Sequence, residues 1–396
     1  MASFTDLIAQ RISAQRDELL TVLSTNPNDD REHALAGGIQ THWHPFSPDS
    51  DEYINQPRLR IGAVDGSRAI RSLNVGADWI VAQALLIGPD GLREAEGDSR
   101  ILRGDVESPR IDRYASLLMR SLELGLALQF AQKNMGDILL IDGSLYSDLP
   151  YLLYNLDLAI GGYENLPRKV LTQYLDLFEL CQQANILLLG IAKSTRSTVL
   201  GKALLQDNFP INDLPSDGEL LYRWTKGCGL TNPVLLGSAS FGHTSALRIA
   251  ELAANAKQML TNNDLPQTTI PKFPQDHLNQ LQAKLLAAPA IGTFYARLAH
   301  GDDVLRIDAL ASAFERNELR LLEFDQELIK HEAALPILGH LLGEYGGLSV
   351  YNAALYVVDQ EVRLRAETVD NVYLPILRSQ LGSHIKYDRS TRRFFN

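Results

Sequence analysis

The chain has 396 residues, of which 45% are hydrophobic, and it carries a formal net charge of −11. This length and composition allow a large buried core in one elaborated domain or two, and they exclude a fibrous or disordered class. The negative charge argues against a protein that coats nucleic acid with its whole surface, because binding to phosphate needs a local excess of Lys and Arg.

Cysteine usage and hydropathy indicate the compartment. Cys181 and Cys228 stand far apart and lack metal-ligand spacing, so neither a disulfide framework nor a zinc finger is supported. The first residues show no basic segment followed by an apolar one, and no later stretch approaches the ~20 apolar residues of a membrane-spanning helix. The sequence therefore predicts a soluble, cytoplasmic protein without a membrane partner.

The first predicted elements are a helix and a pair of antiparallel strands. Residues 4–24 have the apolar spacing of an amphipathic helix, and the polar stretch 26–57 is typical of a linker or surface excursion. Residues 59–64 predict a strand that ends at Asp65, and residues 79–87 predict a second strand closed by a hairpin turn. We expect this pair to start the sheet.

Helices and buried strands then alternate, at residues 111–133, 138–141, 167–184 and 186–191. This order implies right-handed parallel crossovers and an α/β sandwich. In such folds, ligands gather at the carboxyl ends of the strands.

The second half of the chain has a looser pattern. Residues 198–288 predict a partly helical insertion with its best helix at 245–260, followed by strands at 291–298 and 304–307 and a last helix at 348–366. The chain is thus expected to divide into an N-terminal helix with linker, a first part of the core, an insertion, and a core completion with C-terminal helix and tail, at residues 1–57, 58–197, 198–289 and 290–396.

Two aspartates, Asp65 and Asp142, each end an apolar run and each open the tripeptide Asp-Gly-Ser. A carboxylate at the carboxyl end of a strand, with Gly letting the chain turn at once, is suited to hold a divalent cation. One such tripeptide alone is ordinary turn chemistry. Two of them on neighbouring strands can share one metal site.

Two helical carboxylates lie within apolar stripes. Glu123 is in line with Met119 and Phe130, and Asp359 is in line with Leu355 on the last predicted helix. A buried carboxylate is costly unless a cation or hydrogen bonds keep it ionised, so both are candidates for the same centre. The alternatives are that Glu123 is solvated at the edge of its stripe and that Asp359 pairs with Arg363.

These residues resemble the NurA family of archaeal and bacterial nucleases, which work with the HerA translocase in DNA end processing. The resemblance covers about residues 59–197 and 290–365, and its motifs are Asp65-Gly66-Ser67, Glu123, Asp142-Gly143-Ser144-Leu145, Ile191-Ala192-Lys193-Ser194 and Tyr351 through Asp359. The family's closing motif usually has Pro after Tyr and often His at the final site. This chain has Asn352 and Asp359 there, which leaves the identity of the fourth ligand open.

The resemblance implies an RNase H-like mixed sheet flanked by helices and a homodimer around a central channel. It also implies a manganese-dependent DNA nuclease, a single-strand endonuclease and 5′-to-3′ exonuclease in DNA end resection with a HerA-like hexameric ATPase. Matched by position, Asp65, Glu123 and Asp142 are the metal ligands, and Asp359 is the candidate fourth.

The chemistry of such a centre assigns roles to further residues. Two Mn²⁺ or Mg²⁺ ions about 4 Å apart would clamp the scissile phosphate, and hard carboxylate oxygens suit both metals. Lys193 would stabilise charge on the phosphate or orient the water, unless it is a surface residue in a turn. DNA contacts are expected from Arg68, Arg71 and Arg196 to phosphates and from Tyr146 by stacking on a base, with a core or hinge role as the alternative for Tyr146.

Two other functions stay open at this point. A sugar kinase or actin-like ATPase shares the topology and places Asp-Gly at strand ends, but it needs paired Gly-rich phosphate loops where this chain has Arg68 and Leu145. A non-catalytic partner subunit of a motor ATPase would have no need of inward carboxylates.

Overall fold

The computed structural model describes residues 3–23, 30–50, 53, 59–73, 75–158, 160–193, 196–205, 214–237, 275–323 and 326–382. The chain divides into two compact units. The smaller comprises Met1–Trp43 and Thr195–Lys226, and the larger comprises His44–Ser194 and Gly227–Asn396. None of the helices in the described ranges has the length and apolar character needed to cross a bilayer.

Within the described ranges, the strands join into one mixed, 11-stranded sheet. They are β1 (Trp43–Pro45), β2 (Ile61–Leu73), β3 (Ala77–Ile87), β4 (Arg93–Arg103), β5 (Ile138–Asp142), β6 (Leu187–Ala192), β7 (Gly229–Thr231), β8 (Val234–Leu236), β9 (Ile291–Arg297), β10 (Leu305–Leu310) and β11 (Gln326–Leu328).

The α-helices of the described residues differ widely in length. They are α1 (Phe4–Ala14), α2 (Arg16–Leu23), α3 (Asp30–His42), α4 (Ser108–Gln132), α5 (Leu149–Tyr154), α6 (Leu166–Gln183), α7 (Val199–Leu205), α8 (Asp217–Trp224), α9 (Gln275–Ala287), α10 (Leu335–Gly343), α11 (Ala353–Val362), α12 (Ala366–Thr368) and α13 (Leu374–Leu381). A π-helical turn, Val369–Tyr373, joins the last two.

The sheet order is β1-β7-β9-β10-β6-β5-β2-β3-β4, with β8 paired to β9 and β11. Strands β2, β3 and β4 form an antiparallel meander. Strands β5 and β6 then extend the sheet parallel to β2, and β10 closes against β6 in the antiparallel sense. This arrangement confirms the expected RNase H-like mixed sheet flanked by helices.

Alternate residues of the central strands pack into different cores. Val64, Leu139 and Ile141 lie in a core with α4 and α6, whereas Ala63 and Leu140 lie in one with α10 and α11. Because successive strand residues point to opposite faces, the helices cover the sheet on both sides. The continuous apolar runs of β5 and β6 follow from this double burial.

The smaller unit is helical. Leu35 and Ile39 of α3 are buried, and Gly38 lets α3 approach Leu204 at the end of α7. Residues 30–42 thus form a helix within the stretch predicted as a linker, because two apolar side chains one turn apart find a partner there. The predicted first helix is divided at Gln15 into α1 and α2.

Two other predictions differ from the structure, and a third is not tested by it. Strand β2 does not end at Asp65 but runs on to Leu73, because it pairs with β3 over that whole length. Strands β7 and β8 of the predicted insertion belong to the sheet, since both pair with β9. The predicted helix 245–260 lies outside the described residues.

The last predicted helix is shorter than expected and is not the last element. Asn352 caps α11, its side chain accepting a hydrogen bond from the Leu355 N–H at 3.0 Å. The helix ends where Arg363 turns to extended backbone, and the chain then continues through α12, the π-helical turn and α13.

We predict that Phe130→Ala lowers the free energy of unfolding by about 3–5 kcal/mol, because it removes a fully buried ring and leaves a cavity. A Cβ atom at Gly62 or Gly136 would lie closer than 3.0 Å to this ring, so the absence of a side chain at both positions leaves space for it. Urea unfolding followed by circular dichroism measures the change. Leu348→Ala, at a side chain that is 68% exposed, is the control, and equal effects of the two changes would contradict the packing described.

Candidate metal centre

The centre begins with the register of two neighbouring strands. Parallel pairing of β2 with β5 ends at Val64 opposite Ile141, so the next residues, Asp65 and Asp142, stand side by side. Asp359 of α11 joins them, and one carboxylate oxygen from each lies within 4.8 Å of the others. The structure therefore brings together three of the four predicted carboxylates, where the parallel pairing of β2 with β5 ends.

Asp359 is positioned by the backbone that follows its helix. The Ser67 hydroxyl of β2 accepts a hydrogen bond from the Leu364 N–H at 2.9 Å, and the Gln83 side chain of β3 donates one to the Val362 carbonyl at 2.7 Å. These bonds fix the end of α11 against the hairpin that carries Asp65. No ion pair between Asp359 and Arg363 occurs among the described residues.

Asp142 is the last residue of β5, and Gly143 after it has φ +101°, the left-handed conformation that the predicted turn requires. The Ser144 hydroxyl donates to Asp308 at 2.5 Å and accepts from the N–H groups of residues 146 and 147. Asp308 is itself bound by Arg306 at 2.8 Å. A buried ion pair on β10 therefore anchors the turn after Asp142, and no sequence motif had indicated it.

Gly66 has a role different from the one predicted. It lies within β2 rather than at a turn, and a Cβ atom there would come closer than 3.0 Å to Glu123 Oε1. The missing side chain lets the Glu123 carboxylate approach the strand beside Asp65. Glu123 is only 2% exposed, so it is not solvated at the edge of its stripe.

Arginine and lysine partly balance the acidic groups. Arg120, one turn before Glu123 on α4, has its Nη1 2.5 Å from Glu123 Oε2. Lys193 Nζ lies 3.4 Å from Asp142 Oδ2 and 4.5 Å from the centre of the Tyr351 ring. Sequence reasoning missed Arg120, although its spacing of three from Glu123 on one helix is a usable signal.

The pKa values show the cost of this convergence. Burial, followed by the charges of Asp142 and Glu123, raises the pKa of Asp65 to about 7. Burial also raises the pKa of Asp142, against the effect of Lys193, and that of Glu123, against the effect of Arg120. Such a cluster of hard oxygen donors with excess negative charge fits a divalent cation.

The predicted DNA-binding residues take separate positions. Arg68 pairs with Asp112 at 3.3 Å, and Arg71 pairs with Asp370 at 2.7 Å. The Tyr146 hydroxyl donates to the Gly237 carbonyl at 2.8 Å. Arg196 belongs to the smaller unit. Their contact with DNA stays a prediction.

Sheet order and acidic cluster together define the class: an RNase H-like protein with a candidate divalent-metal centre where the parallel pairing of its central strands β2 and β5 ends. The family model described as the NurA domain matches residues 59–362. The chain belongs to the NurA family.

Solved structures show the same fold at low sequence identity. The NurA nuclease from Sulfolobus solfataricus is 17% identical, with a TM-score of 0.56 over 94% of this chain and 96% of that one. A second NurA structure is 14% identical, with a TM-score of 0.57 over 94% and 98%. A third, NurA bound to dAMP and manganese, is 13% identical with a TM-score of 0.46 over 94% and 98%. No curated protein sequence matches this chain.

We predict that Gly66→Ala lowers Mn²⁺ affinity about 10-fold or more, since the added methyl group displaces the Glu123 carboxylate. Isothermal titration calorimetry with MnCl₂ measures the affinity. Gly97→Ala in β4 is the matched control, because its nearest neighbour would be at an ordinary 3.7 Å. Equal affinity of the two variants would show that the approach of Glu123 to β2 does not matter for the metal.

We also predict that Mn²⁺ affinity falls about tenfold per pH unit below pH 7, because a proton on Asp65 competes with the metal.

In the metal-free protein, the pKa of Asp65 is raised above its unfolded value. The folded state therefore binds more protons between the two values and loses stability as the pH rises to about 7. Asp65→Asn should remove this loss. Mn²⁺ titrations at several pH values test the predicted change in affinity, and thermal melts test the predicted change in stability. A Mn²⁺ affinity that is constant from pH 5.5 to about 8 would contradict the first prediction.

Proposed function

We propose that this protein is a manganese-dependent DNA nuclease with single-strand endonuclease and 5′-to-3′ exonuclease activity. The observation that carries the proposal is the convergence of Asp65, Asp142 and Asp359 to within 4.8 Å at one edge of an RNase H-like sheet. Membership of the NurA family supports it, and the Sulfolobus solfataricus relative of the same fold is named a nuclease.

Four carboxylates would hold the metal. Asp65, Asp142 and Asp359 offer oxygens close enough to share an ion, and Glu123 turns Oε1 toward the strand at Gly66. All-oxygen ligands suit Mn²⁺ and Mg²⁺. When bound, one or two such ions would polarise the phosphate and make a water molecule more acidic.

Lys193 supplies positive charge on the open side of the centre. Its side chain is 46% exposed while its Nζ lies 3.4 Å from Asp142, so a phosphate next to the acidic cluster is within its reach. Its amine would offset the negative charge that develops on the phosphate during cleavage. This is the role proposed for Lys193.

Substrate contacts follow from what each residue already binds. The Arg68 pair with Asp112 lies at the surface, where ion pairs contribute little, so exchange for a DNA phosphate costs little. Arg71 makes two bonds to the half-buried Asp370, which favours attachment of the C-terminal segment over transfer to DNA. For Tyr146, the hydroxyl bond leaves the ring as the part that would stack on a base. Arg196 is exposed and is proposed to contact phosphate.

The wider role is proposed from the family. The protein would act as a homodimer with a HerA-like hexameric ATPase in DNA end resection and repair, in the cytoplasm. Both cysteines are free thiols, which agrees with a reducing compartment.

We predict that Asp65→Asn, Asp142→Asn and Asp359→Asn each lower DNA cleavage more than about 100-fold in Mn²⁺, since each removes a charged metal ligand. Asp105→Asn, at an exposed position, is the matched control. Asp359→His should retain more activity than Asp359→Asn, because imidazole also binds Mn²⁺. End-labelled linear strands report polarity, and circular single-stranded DNA reports endonuclease activity.

Three outcomes would contradict the proposed function. ATP turnover without loss of DNA would favour the actin-like ATPase or kinase. Neither activity, with retained binding to a HerA-like ATPase, would favour the non-catalytic subunit. Full cleavage by folded Asp65→Asn and Asp142→Asn proteins would place the active site elsewhere.

A further inference from the structure

We propose that Arg120 is a positioning residue that holds Glu123 in the orientation the metal centre requires. The inference rests on the proposed metal-dependent function of this centre. Arg120 projects from α4 with its side chain only 14% exposed. Its guanidinium pairs with Glu123 of the same helix and with Asp148, which follows the turn after Asp142.

The two oxygens of Glu123 have different surroundings. Oε2 lies 2.5 Å from Arg120 Nη1, whereas Oε1 faces the backbone at Gly66, next to Asp65. Glutamate has several rotatable bonds, and a carboxylate this deeply buried has little water to orient it. Arg120 forms an ion pair with one oxygen, and the other is directed at β2.

Arg120 is itself fixed at a second point. Its Nε lies 3.3 Å from Asp148 Oδ2, and the Tyr174 hydroxyl donates to the same oxygen at 3.1 Å. A Cβ atom at Gly143 would be 3.6 Å from Arg120 Nη2, so the guanidinium also borders the turn after Asp142. The planar fork of arginine spans Glu123 and Asp148, which a single ammonium group cannot do.

A purely structural ion pair and a simple counter-charge are the competing explanations. A structural pair would affect folding but not metal affinity. If Arg120 were only a counter-charge, its substitution would change Mn²⁺ affinity in the opposite direction. Removing the positive charge would then strengthen Mn²⁺ binding. Positioning predicts weaker binding even when the charge is kept.

The test compares Arg120→Lys, Arg120→Met, Glu123→Gln and the double variant Arg120→Met/Glu123→Gln. Arg113→Met is the control, since Arg113 on the same helix lies over the Tyr151 ring, 3.8 Å from its centre. Free Mn²⁺ is measured by electron paramagnetic resonance during titration with MnCl₂, in the absence of DNA. Circular dichroism checks that each variant is folded.

We expect Mn²⁺ affinity to fall about tenfold in Arg120→Lys and about 10- to 100-fold in Arg120→Met. The double variant should bind Mn²⁺ no more weakly than Glu123→Gln alone, because Arg120 acts through Glu123. If Arg120→Met does not fold, Arg120→Lys and Asp148→Asn test the inference instead. Asp148→Asn is expected to bind Mn²⁺ a few-fold more weakly than the wild type.

Wild-type affinity in Arg120→Lys, a rise in affinity in Arg120→Met, or additive losses in the double variant would each overturn the inference. Failure of the proposed function can be distinguished from failure of the inference about Arg120. If the wild-type protein binds Mn²⁺ but leaves DNA intact, the nuclease assignment is wrong while the role of Arg120 stands or falls by the titrations.

Discussion

Repulsion among carboxylates that are partly removed from water is the constraint on which the structure depends. Asp65, Asp142 and Asp359 converge to within 4.8 Å, and burial with this mutual repulsion raises the pKa of Asp65 to about 7. Like charges so close are unfavourable unless a cation compensates them. Arg120 and Lys193 supply part of that compensation, and a divalent ion bound between the carboxylates supplies the rest in the proposed function.

This convergence of carboxylates depends on the correct placement of segments that are far apart in the chain. The β2–β5 register aligns Asp65 with Asp142, and a one-residue slip would turn one carboxylate to the opposite face. The Glu123 carboxylate of α4 comes close to β2 because Gly66 leaves room for it, and α11 is fixed to the hairpin through Ser67 and Gln83. The excess of negative charge thus lies where four elements, β2, β5, α4 and α11, meet.

Much of this arrangement could be predicted from local sequence. The apolar runs and turn residues predicted β3, β5, β6, helix α4 and the turn after β3 within a few residues, because burial and turn chemistry are local properties. Glu123 was recognisable as a carboxylate within an apolar stripe. Pairing partners are not local: β2 runs past Asp65 because β3 lies alongside it. The hydrogen bond between Ser144 and Asp308 could not be predicted for the same reason, since it joins residues far apart in the chain.

Location of the metal tests the central claim most directly. A crystal of the protein soaked in MnCl₂ would be measured at a wavelength where manganese scatters anomalously. The account predicts an anomalous peak in contact with the carboxylate oxygens of Asp65 and Asp142, with Asp359 or Glu123 completing the protein ligands. A manganese peak bound elsewhere, with Asp65 and Asp142 left without metal at full loading, would contradict it.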